Sequence, residues 1–161
     1  FFVNNLNAFK KKKFYKKILK KKNHLVKLNK ILDNNYIGTS TLTIKSILLK
    51  TIIKNINTKL IALDWCIITS ILIKKFKGIY VNDIITFYRQ HNLNIHNKFS
   101  YRKKILMNIK IKKEHYEFFK NKDKIFNKKL KKLIDFERKF LKSPIEYSKK
   151  KYEKFHKWWV M

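Results

Sequence analysis

Two glycines and one proline, Gly38, Gly78 and Pro144, are all that a chain of 161 residues contains. These residue types are the strongest local breaks in a polypeptide, so their scarcity leaves long pieces whose structure must be read from side-chain pattern. Before Gly38, the residues Phe14, Ile18, Leu19, Leu25, Leu28, Ile31 and Leu32 recur near helical spacing with Lys between them. That pattern predicts a basic amphipathic helix, broken near Asn23. After Gly38, the β-branched and hydroxyl-bearing run Thr39–Ile44 predicts a short strand, and Lys45–Ile53 a helix.

The run Leu60–Ile73 is apolar except for Asp64, which stands where an N-cap would accept orphaned backbone N–H groups. Lys74, Lys75 and Lys77 ahead of Gly78 then suit the end of that helix. Beyond Gly78, residues 79–81 and 84–88 predict two strand pieces with a kink at Asn82-Asp83. From Tyr101 onward, stripes of Ile105, Ile109 and Ile111, then Leu130, Leu133, Ile134, Phe136, Phe140 and Leu141, predict helices. Pro144 suits the first turn of a last helix reaching Trp158 and Trp159.

Charge sets the surface. Lys and Arg total 41 against 10 Asp and Glu, a formal net charge of +31. Because 45% of the residues are hydrophobic and 15% aromatic, the expectation is a single folded domain with a basic coat, not a chain disordered by charge. Lys travels with Ile and Asn throughout, the residues that adenine- and thymine-rich codons supply, so part of the charge reflects coding bias. A single Cys66 excludes an internal disulfide, and no Cys/His cluster has zinc spacing; both fit a reducing cytoplasm. The longest apolar run falls short of the roughly 20 residues that span a bilayer. The chain begins at Phe1 without an initiator Met, and the expectation is a fragment.

Chemistry could reside in three places. Asp64 is one of few carboxylates and is embedded in apolar sequence, where burial raises a pKa and suits proton acceptance; the plainer reading is a helix cap. Arg89 and His91 lie two residues apart, hence on one side of an extended chain, and offer donors for phosphate oxygens; the plainer reading is a solvated strand end. The Lys coat suits nucleic acid or an anionic membrane surface, or is simply solvated. There is no glycine-rich phosphate loop, no Gly-x-Ser-x-Gly and no His-Glu-x-x-His.

Taken in order, Asn35-Tyr-Ile-Gly-Thr-Ser40, then Ala62-Leu-Asp-Trp65 opening a helix, then Gly78 through the strand ending Tyr88-Arg-Gln-His91 with Asn94 after it, resemble the C-terminal half of bacterial family 2 glycosyltransferases of the GT-A fold. The likeness covers residues 34–97. It implies an α/β fold, α-rich in this piece, with residues 1–97 as the acceptor-side part of the transferase domain and 98–161 as a basic helical extension packed on it. It implies an inverting sugar transfer from a nucleotide-sugar donor to a glycan or lipid-linked acceptor in envelope polysaccharide synthesis. Asp64 then corresponds to the general base, and Trp65, Gly38, Thr39 and Ser40 to the acceptor site. Arg89 and His91 correspond to the groups facing the donor diphosphate.

The family also implies a divalent cation, Mg or Mn, yet no Asp-x-Asp occurs anywhere in the chain, and residues 1–33 do not match the family's nucleotide-binding half. The implied location is cytoplasmic, at the inner face of the plasma membrane, with an anionic membrane as a peripheral partner. The competing class is a non-catalytic, Lys-rich protein that binds RNA or a ribosome, for which nucleic acid replaces the donor and acceptor as partner.

Overall fold

The computed structural model describes residues 2–10, 13–18, 24–57, 59–89 and 100–142, with side chains from residue 24 onward except 82–85, 87–89 and Tyr101. The fold is mixed α/β. Five strands, β1 (Phe2–Lys10), β2 (Lys13–Ile18), β3 (His24–Val26), β4 (Leu42–Thr43) and β5 (Gly78–Arg89), form one sheet of order β2-β1-β5-β3, with β4 also pairing β1. β1 runs parallel to β5 and antiparallel to β2 and β4, while β3 is antiparallel to β5. Among the described residues five helices follow in the sequence: α1 (Leu28–Ile31), α2 (Ser46–Ile53), α3 (Leu63–Ile73), α4 (Tyr101–Phe119) and α5 (Lys124–Lys142).

The helix expected ahead of Gly38 is corrected to β2, β3 and the single turn α1. Its apolar spacing is compatible with either period over such short stretches, and the choice is made by a partner: Leu6 lies opposite Ile18 and Phe9 opposite Phe14. The strand expected at 39–44 is shortened to the two residues of β4, preceded by a 3-10 turn at Thr39–Thr41. Gly38 O anchors that turn, accepting from the Thr41 backbone N–H at 3.0 Å and the Thr41 hydroxyl at 2.8 Å.

The two strand pieces expected after Gly78 form the one strand β5. The kink appears as a register shift, since Val3 pairs with Tyr80 but Asn5 with Ile85, so β5 carries extra residues around Asn82-Asp83. The predicted helices after Tyr101 are α4 and α5; the helix expected after Pro144 lies outside the described residues.

Residues Trp65 to Ile71 of α3 are all buried, as expected of a helix that is apolar on every side. Packed on it, α4 contributes Ile105, Ile109, Tyr116 and Phe119, and α5 adds Phe126, Leu130, Leu133 and Phe140 to the same core. Ser100 caps α4 by accepting from Lys103 N–H at 3.5 Å, and Asp123 caps α5 by accepting from Ile125 N–H at 2.9 Å. Between the two long helices the turn closes tightly, with Lys122 N–H on Phe119 O at 2.8 Å. The C-terminus of α3 closes by a Schellman pair: Lys75 N–H donates to Leu72 O at 3.0 Å and Phe76 N–H to Ile71 O at 3.2 Å. Lys75 thereby takes φ 63°, in the left-handed region where side chains other than glycine are strained.

Candidate functional site

Asp64 stands one residue inside α3, not at its cap. The N-cap position belongs to Ala62, and the helix starts at Leu63. The Asp64 carboxylate nonetheless serves the first turn, since Oδ1 accepts from Trp65 N–H at 2.7 Å. Its other oxygen accepts from the Thr39 hydroxyl at 3.5 Å. Burial pushes the Asp64 carboxyl above its ordinary value, while the Trp65 N–H and the Thr39 hydroxyl pull it back. A carboxylate so placed is a better proton acceptor than a solvated one.

Gly38, Thr39 and Ser40 lie between that carboxylate and the sheet. Gly38 is buried and extended, whereas Thr39 and Ser40 are exposed. Thr86 of β5 donates its hydroxyl to Ser40 O at 3.5 Å, so this segment meets α3 on one side and β5 on the other. Arg89 is the last residue of β5, opposite Phe9 of β1, and its side chain is outside the described residues. His91 lies outside them altogether. The structure thus brings together Asp64, Thr39, Ser40 and β5.

Trp65 departs from its expected place. Instead of lining an open acceptor pocket it is fully buried, with its indole Nε1–H donating to Ile31 O at 2.8 Å. Its ring stacks on His115 of α4 at 3.8 Å between centroids and 7° between planes. The reason is the helix itself: with apolar residues all round α3, the residue after Asp64 turns into the core.

His115, which the sequence did not single out, is the polar centre of that core. Its Nδ1 lies 3.3 Å from Cys66 Sγ and its Nε2 3.4 Å from Thr69 Oγ1, one thiol and one hydroxyl that can each donate or accept. Burial pushes the imidazole down to about 3, and the Cys66 thiol up to about 12, with the charges of Asp64 and Glu114 adding to the latter. Both groups are neutral near pH 7, so this is a hydrogen-bonded structural cluster and not an activated nucleophile. Cys66 and Thr69 sit one helical turn apart on α3, the only trace of it in the sequence, and that spacing becomes meaningful only once α4 is docked.

A further feature missed in the sequence is an apolar groove of about 610 Å³. Ile44, Ile47, Leu48, Phe76 and Ile79 form its apolar walls, and Lys45 and Lys77 join its lining. It draws on α2, the segment after β4 and the start of β5, so no single motif announces it. Among the described residues no group of three or more His, Cys, Asp or Glu is arranged to hold a metal ion. Asp64 has a hydroxyl and a backbone N–H for partners. No ligand for a divalent cation is assigned among the described residues. No helix among the described residues is long and apolar enough to cross a membrane.

Comparison with protein-family models, with curated proteins and with solved structures gives no match.

Proposed function

We propose that this chain is the acceptor-side portion of an inverting glycosyltransferase of the family 2 type, with Asp64 as the general base. The observation that supports this most directly is the position of the Asp64 carboxylate, half-buried at the head of α3 and facing Thr39. That segment also touches β5, the strand whose sequence carries the Tyr-Arg-x-His resemblance.

In the proposed reaction an acceptor hydroxyl gives its proton to the free lone pairs of Asp64 as its oxygen bonds to the anomeric carbon of the donor sugar. The bond from that carbon to the nucleoside diphosphate breaks, and its electron pair leaves on the diphosphate oxygen. Arg89 and His91 are assigned to that departing charge. Thr39 orients the carboxylate, and Ser40 borders the acceptor. A lipid carrier on the acceptor would suit the apolar groove that has Lys45 and Lys77 in its lining.

The test is sugar transfer by Asp64→Asn in the protein as it occurs in the cell, with any flanking sequence in place. General-base loss predicts a fall of about 10²–10⁴-fold in turnover with donor binding retained. Undiminished turnover refutes the base assignment, and nucleic-acid binding that weakens steeply with salt and ignores Asp64 favours the RNA-binding class instead.

A further inference from the structure

At the other end of α3 from Asp64, a second cavity of about 380 Å³ opens between the end of α2, the last turn of α3 and the α4–α5 connection. Its apolar wall is Ile52, Ile73 and Phe119, and its polar wall Asn55, Ser70, Lys74 and Lys122. We propose that this cavity binds a phosphate ester, the phosphate held by the Lys74 and Lys122 ammonium groups and the Ser70 hydroxyl, and the organic part lying against Ile52, Ile73 and Phe119.

Four observations converge on that ligand. Ser70 is only 7% exposed, and its Oγ has no hydrogen-bond partner among the described residues. A buried hydroxyl left unpaired is costly, and a ligand oxygen at the cavity wall relieves it. Two lysines line the same small space with no carboxylate among its lining residues. Burial, and then the charge of Lys74, pull the Lys122 ammonium down from its ordinary value, and both lysines line this one cavity. An anion between them removes that repulsion. The Lys122 ammonium lies 4.3 Å from the centre of the Phe118 ring, which holds it at the rim.

The C-terminus of a helix ordinarily repels anions through its open carbonyls. Here two of those carbonyls are covered, since the Schellman pair occupies Ile71 O and Leu72 O. The volume lies at the small end of the range of ligand pockets, about 300–1,000 Å³, and with an apolar wall it suits an ester carrying an organic group better than bare phosphate. Asp64 and Lys74 lie at opposite ends of the helix, about 15 Å apart at 1.5 Å per residue, so this site is independent of the glycosyltransferase reading.

Titrating the whole chain with phenyl phosphate while following its amide resonances tests the proposal. Saturable shifts centred on Ser70, Lys74 and Lys122 are expected, with tighter binding than inorganic phosphate. Lys74→Gln and Lys122→Gln should each weaken binding about tenfold or more, the loss of one charge-assisted bond. Ser70→Ala should weaken it less, with thermal unfolding confirming a folded variant. The pair Lys45→Gln with Lys77→Gln should leave it unchanged. Competition by vesicles containing phosphatidic acid assigns the ester to a lipid headgroup, and its absence to a soluble molecule; either supports the site. Shifts spread over lysines throughout the chain without saturation, or equal losses in the Lys45/Lys77 control, overturn it.

Discussion

Lys75 is the one residue other than glycine with a positive φ among those described, and replacing it offers a sharp check on the architecture of α3. The left-handed conformation costs a residue with a Cβ roughly 1–2 kcal/mol. Lys75→Gly removes that strain at the position where Schellman closures favour glycine. Against it stands the greater freedom of glycine in the unfolded chain, about 0.4–1 kcal/mol. Lys75 is exposed, so its truncation sacrifices no core packing. The balance is a net gain of about 0.5–1 kcal/mol, which for a chain of this size raises Tm by about 1–4 °C. Urea unfolding should show a higher midpoint with unchanged slope. Lys75→Ala is the control, because it shortens the side chain but keeps the Cβ and so keeps the strain. A Lys75→Gly variant no more stable than Lys75→Ala would refute the left-handed closure of α3.

The remaining expectations concern charge. The His115 imidazole is held down to about 3 by burial, against an ordinary value of 6.5. Between those values the unfolded chain takes a proton that the folded chain refuses, so His115 contributes a loss of stability of about 1.4 kcal/mol per pH unit as pH falls through that window. Asp64, whose pKa is raised, titrates with the opposite sign, so the comparison must be between slopes: His115→Gln should flatten the acid limb of urea-unfolding stability between about pH 6 and 3, and an unchanged slope refutes the buried neutral imidazole. Asp33 joins the segment after α1 to both long helices, accepting from Lys129 Nζ at 2.7 Å and from the Tyr116 hydroxyl at 3.2 Å. Both charged partners are substantially solvated, so Asp33→Asn should cost only about 0–1 kcal/mol in thermal unfolding, a loss that shrinks further in high salt; a loss of several kcal/mol would contradict that reading.

How far these features could be read from the sequence depended on whether their causes were local. α3, α4 and α5 were legible because apolar spacing and the lysines before Gly78 are local signals that the packing did not override. The Asn82-Asp83 kink was legible for the same reason. β2 was not, since Phe14 and Ile18 fit a helix as well as a strand until β1 lies beside them. Asp64 was found by its isolation in apolar sequence, but its exact place in the first turn was set by Leu63 entering the helix. The fate of Trp65 was hidden because an all-apolar helix gives no clue to which side meets its neighbours. His115 was hidden by the Lys-rich helix that carries it.

The parallel pairing of β1 with β5 carries a consequence for how the chain assembles. Phe2 meets Ile79 and Phe9 meets Arg89, contacts that close very long loops, whereas the α4–α5 pair is joined by a turn of four residues, 120–123. Loop-closure entropy therefore favours the helical hairpin and the core around α3 as early structure, with β1 arriving last. Until it does, β5 has an unpaired edge open to the same strand from another copy, and a strand that docks late is one that two chains can exchange.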